Sequence, residues 1–170
     1  LAPFGKTLDL KHYLKFVGTT NDYTWQTIVN DLELDAVPEE LKEICFAHTR
    51  ETVKKEGHTP VPGAVELVKT LYDMGYTLAV ASSSAKRDIE EITEFFGINK
   101  YFTELVTGED VKHSKPAPDV FLKTAEGLGK SCCECMVIED SHNGAMAAKA
   151  AGMLCVGLAN PNSGEQDISM

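Results

Sequence analysis

The 170-residue sequence carries 26 acidic against 16 basic side chains, a net charge of −10, with 43% hydrophobic and 25% charged residues. This is an ordinary globular mixture for one domain, or one domain with a small insert. It excludes a nucleic-acid backbone or an anionic membrane surface as partner, because both call for clustered Lys and Arg. No apolar run approaches the roughly 20 residues of a membrane span. The five cysteines are Cys45, Cys132, Cys133, Cys135 and Cys155. An odd number with three in one loop argues against a disulfide framework and for free thiols in a reducing, cytoplasmic compartment. The chain opens at Leu1 without a basic, then apolar leader, and it reads as a piece of something longer.

Leu10, Tyr13, Leu14 and Val17 sit at helical spacing. Gly18 to Asp22 breaks the pattern, and Thr20, Asn21 or Asp22 can cap the next helix, which carries Trp25, Ile28, Val29 and Leu32 on one face. A third helix is predicted from Pro38, with Leu41, Ile44, Cys45 and Val53 inward. Two prolines and two glycines between Glu56 and Gly63 mark a hinge. Beyond it the pattern alternates. A helix over Pro62 to Met74 leads to an apolar run, Tyr76 to Ala81, and a second helix, Ala85 to Phe96, follows. A strand is expected over Phe102 to Thr107, then a polar stretch and a helix from Asp119 to Leu128. The run from Cys135 to Ile138 is a strand ending in Glu139-Asp140, followed by a helix over Asn143 to Ala151 and a last strand over Leu154 to Leu158. Strands alternating with helices predict an α/β fold of right-handed βαβ units around a parallel sheet.

Three polar signals fall at equivalent places in this alternation. Ser82, Ser83 and Ser84 follow one strand, Lys115 lies in the loop after the next, and Glu139-Asp140 close the third. In a parallel sheet these strand ends share one edge, where ligands bind. Hydroxyls and N–H groups at a helix start suit a phosphate oxygen. Lysine supplies a point charge, and paired carboxylates after an apolar strand make a hard oxygen site suited to Mg²⁺. Positioning plus electrostatics is what phosphoryl transfer requires.

The segments Ala81-Ser82-Ser83-Ser84, Ser114-Lys115-Pro116-Ala117-Pro118-Asp119 and Val137-Ile138-Glu139-Asp140-Ser141 with Gly144 resemble motifs two, three and four of the haloacid dehalogenase (HAD) superfamily. The likeness is to its phosphatase and β-phosphoglucomutase-like branch, and it runs through nearly the whole chain. It implies a Rossmann-like core over residues 59–170 and a small all-helical C1-type cap over residues 1–58. By resemblance, Ser82 and Ser83 bind the phosphoryl group, Lys115 bridges phosphate and nucleophile, and Glu139 with Asp140 holds Mg²⁺. Thr20 and Asn21 of the cap loop, with Arg50, would read the rest of a small phosphorylated metabolite.

One motif departs from the family. Its first, an Asp-x-Asp that supplies nucleophile and general acid/base, is absent here. Asp9 is no substitute, since no apolar strand precedes it and no second Asp follows at the right spacing. The central strand of the sheet is therefore expected to be missing. The end after Met170 reads as short by a strand–helix unit, and the chain alone is expected to be inactive. Related mutases carry an arginine where this loop has Asn21, which favours a Mg²⁺-dependent phosphatase acting through an aspartyl-phosphate formed upstream. The alternatives are a β-phosphoglucomutase-like mutase and a non-catalytic HAD-like module. Cys132, Cys133 and Cys135 lack a second ligand pair at zinc-finger spacing, and Trp25 reads as cap core.

Overall fold

A computed structural model describes residue 1, residues 4–160, 163, 164 and 166–168. Met170, on which the expectation of a shortened C-terminal end rests, lies outside the described residues. The chain begins with helices α1 (Leu10–Leu14), α2 (Asn21–Asp31) and α3 (Pro38–Glu56). Thr20 caps α2 by accepting the Tyr23 N–H, and Pro38 opens α3, where its missing N–H costs nothing. Phe16, Ile28, Val29, Leu34 and Leu41 form the buried cluster of this helical part, with Trp25 and Leu32 packed against it.

Two predicted faces of the helical part differ. α1 lasts only five residues, and Leu10 and Tyr13 are exposed while Phe16, past its end, is the residue buried. On α3, Ile44 and Cys45 also face outward. α1 is too short to present a continuous stripe, so the turn after it sets which side chain reaches the core.

After α3 the order is α4 (Ala64–Asp73), β1 (Leu78–Ala81), α5 (Lys86–Phe95), β2 (Phe102–Val106), α6 (Asp119–Gly127), β3 (Met136–Glu139), α7 (His142–Ala150) and β4 (Leu154–Gly157). β1 pairs in parallel with β2, and β3 pairs in parallel with β4. These are two separate two-stranded sheets rather than one continuous one. One apolar cluster nonetheless spans both. Val106 of β2, Val120, Phe121 and Ala125 of α6, Val137 of β3 and Ala147 and Ala148 of α7 pack together, with Ala81 of β1 and Cys155 of β4 against them. Ala145, Ala147 and Ala148 of α7 are buried, which lets that helix lie close to its neighbours.

Candidate active site

Parallel pairing puts the C-terminal ends of β1 and β2 on one edge and those of β3 and β4 on another. Lys115 joins the two edges. Its side chain is 6% exposed. Its Nζ donates to Ala81 O at the end of β1 (3.3 Å) and to Glu139 Oε1 at the end of β3 (2.5 Å). The ammonium also lies 4.9 Å from the centroid of the Phe121 ring on α6, a favourable place for a desolvated cation. A buried charge is tolerable only with such partners.

Glu139 is held on both oxygens. Oε1 meets Lys115, while Oε2 accepts the Asp140 N–H (2.8 Å), the Ser141 N–H (2.9 Å) and the Ser141 hydroxyl (2.9 Å). Ser141 in turn caps α7 by accepting the Gly144 N–H. Any side chain on Gly144 would collide with the Glu139 carboxylate, so only glycine permits this approach of helix to acid. Asp140 has partners of its own: its Oδ2 accepts from Asn160 Nδ2 and Ser163 Oγ, each at 2.6 Å. Behind the site, burial pushes the Cys155 thiol up, with a smaller push from Glu139 and a small opposing pull from Lys115.

The serine segment is divided in use. The Ser82 N–H donates to Val106 O (3.0 Å), extending the β1–β2 pairing by a residue, and its hydroxyl oxygen accepts the Ser84 N–H (3.1 Å). Among the described residues the Ser82 hydroxyl proton has no acceptor. Ser83 Oγ donates to Gly18 O (2.7 Å), and Asn143 Nδ2 on α7 donates to Val17 O (3.0 Å). The loop before α2 is thus tied to both strand pairs. Gly18 has φ +84, and a Cβ there would meet Ser141 Oγ, so glycine is required for conformation and for space. Thr20 lies beside Gly108, whose missing side chain leaves room for the threonine methyl.

Lys115 is bonded to Glu139 and to the carbonyl of Ala81, the residue before Ser82, and the Asp140 N–H donates to Glu139. Ser82 and Ser83 follow at the same strand end, where Thr20 lies beside Gly108 and the Ser83 backbone. Asn21 follows as the first residue of α2. Arg50 is not brought there. It lies on α3, 4.0 Å from Glu43, lining an open depression with Ala47, Glu51 and Lys54. The cysteines are free. Among the described residues no group of three or more His, Cys, Asp or Glu is arranged to hold a metal. Sequence reading missed Asn160, Ser163 and Asn143. The signal for Asn160 was its place just past a strand, the same place that singled out Ser82 and Asp140.

A family model described as haloacid dehalogenase-like hydrolase matches residues 2–158. The bifunctional riboflavin kinase/FMN phosphatase of Arabidopsis thaliana is 36% identical over 89% of this chain and 40% of that protein. The fructose-1-phosphate phosphatase YqaB of Escherichia coli is 31% identical over 90% of this chain and 80% of that protein. The chain thus spans well under half the length of some curated relatives and most of others. Among solved structures, a β-phosphoglucomutase from Clostridium difficile superposes with a TM-score of 0.82 at 21% identity, over 95% of this chain and 74% of that one, a likeness of fold alone. Matched over nearly its whole length, and with Lys115 of the third motif in contact with Glu139 of the fourth, the chain belongs to the haloacid dehalogenase-like hydrolase family.

Proposed function

We propose that this chain carries the phosphate- and cation-binding part of a Mg²⁺-dependent phosphatase acting on a small sugar or organic phosphate monoester. The attacking aspartate is supplied from outside these 170 residues. The observation that carries this reading is the buried Lys115, bonded at once to the end of β1 and the end of β3. A cation placed there can face a phosphoryl group lying across both edges. The phosphatases among the relatives support the same reaction class.

Each group has a role set by what it is already bonded to. Ser82 donates its hydroxyl proton to a phosphoryl oxygen, since its N–H is committed to Val106. Ser83 offers its N–H, since its hydroxyl is committed to Gly18. Lys115 offsets the negative charge of the phosphoryl group. The residues fit Mg²⁺ in donor chemistry, two adjacent carboxylates at a strand end. Asp140 is the better ligand of the two, because a cation on Glu139 Oε1 would have to displace Lys115. When bound, Mg²⁺ would supply positive charge to the transferring phosphoryl oxygens. The helical part, residues 1–58, acts as a cap, its loop Gly18–Asp22 presenting Thr20 and Asn21 to the rest of the substrate. The neutral Asn21 leaves this loop without the arginine a second phosphate calls for, which favours hydrolysis over the mutase reaction.

The test uses the complete protein with p-nitrophenyl phosphate and fructose 1-phosphate. Phosphate release is expected only with Mg²⁺ and is expected to disappear in Asp140→Asn. Undiminished turnover in excess chelator would refute the reading. Conversion of β-glucose 1-phosphate to glucose 6-phosphate, without phosphate release, would decide for the mutase.

A further inference from the structure

Asp140 does not hang free from its strand. Its Oδ2 is gripped by two neutral donors, Asn160 Nδ2 and Ser163 Oγ, both at 2.6 Å. The two residues are also bonded to each other, Ser163 N–H donating to Asn160 O at 3.0 Å. Ser163 is buried, at 8% exposure. Ser163 is itself anchored. Gln166 Nε2 donates to Ser163 O, while Gln166 Oε1 accepts the His142 N–H at the start of α7. His142 Nδ1 also lies 2.8 Å from Asp167 O. The segment after β4 is thus fastened to the helix that begins two residues after Asp140.

We propose that Asn160 and Ser163 are positioning residues that lock the Asp140 carboxylate in the orientation that receives the divalent cation. This rests on the reading of Asp140 as a cation ligand given above. A carboxylate on a single bond can turn about χ2, and two donors on one oxygen remove that freedom, so the carboxylate does not have to be ordered when the cation arrives. Partners behind a metal ligand typically change metal affinity by about 10- to 100-fold. Neither residue touches the phosphoryl group in this scheme. Their effect is on cation affinity, transmitted through Asp140.

The experiment is a titration of the complete, substrate-free protein with Mn²⁺, followed by the loss of the free-ion electron paramagnetic resonance signal, with thermal unfolding in parallel. Asn160→Ala and Ser163→Ala are each expected to weaken Mn²⁺ binding by about tenfold, and Ser163→Thr, which keeps the hydroxyl, to restore it. In the Mg²⁺-activated reaction the same variants are expected to raise the Mg²⁺ concentration for half-activation far more than they lower the rate at saturating Mg²⁺. If Asp140→Ala leaves Mn²⁺ affinity unchanged, the cation reading itself fails. If Asp140→Ala abolishes binding while both alanine variants bind as the parent does, the positioning role fails and the cation reading stands. Should one alanine variant not fold, the other and the Ser163→Thr comparison decide.

Discussion

Replacing Lys115 by Met removes the ammonium while roughly keeping the length of the side chain. Lys115 and Glu139 are 6% and 9% exposed, so little solvent screens the pair. Breaking such a pair by removing one partner typically costs about 3–5 kcal/mol, because the other charge stays buried. Glu139 keeps three donors on its second oxygen, which places the expected cost at the low end, about 3 kcal/mol. Against a typical stability of about 5–15 kcal/mol that is a large fraction. In urea it should lower the unfolding midpoint of the complete protein by roughly 1–3 M at an ordinary denaturant slope. Glu139→Gln should cost at least as much, since it strands the lysine. The double variant should cost less than the two singles together, by about 1–2 kcal/mol of coupling. Additive costs, or a Lys115→Met variant within about 0.5 kcal/mol of the parent, would show that this pair does not tie the two strand ends together energetically.

Two further outcomes can be checked. Thr107 is fully buried, and its N–H and hydroxyl both donate to Asp110 Oδ2 at 2.8 Å. These bonds hold the Asp110 carboxyl below its ordinary range. A depressed carboxyl contributes stability that is complete above its unfolded pKa and is lost as pH falls through its folded one. The stability gap between the parent and Asp110→Asn should therefore close as pH drops below about 4, read from urea midpoints at pH 7 and pH 3. Separately, Ser83→Ala and Asn143→Ala each remove one bond to the loop carbonyls of Gly18 and Val17, worth about 1 kcal/mol each. Both should speed proteolytic cleavage and amide exchange across residues 16–20, and unchanged exchange would mean the loop is held by packing alone.

The parts of this molecule that repeat were legible in its sequence. All four strands, and the helices between them, follow from apolar runs punctuated by Gly and Pro. Parallel topology then brought Ser82, Lys115 and Asp140 to neighbouring edges without any contact being known. What failed was the fate of individual faces. Leu10, Tyr13 and Ile44 have the right spacing for burial and are exposed, because spacing tells which residues share a side but not whether anything lies opposite. Asn160, Ser163 and Asn143 were missed for a different reason. A polar side chain in a loop or at a helix start carries no periodicity, and its partner lies 20 to 126 residues away. The division of Glu139 from Asp140 was also out of reach, since it depends on which donors surround each acid.

The separation of the strands into two pairs has a consequence for handling the protein. Each strand has one hydrogen-bonded neighbour among the described residues, so each presents a row of amide and carbonyl groups on its other flank. Beside them, Met136, Ile138, Leu154, Val156 and Leu158 turn one greasy side of the second pair to water. Open flanks next to such a surface are templates for self-association. These 170 residues produced by themselves should therefore collect in insoluble aggregates, where the added backbone pairing comes from other copies of the same chain.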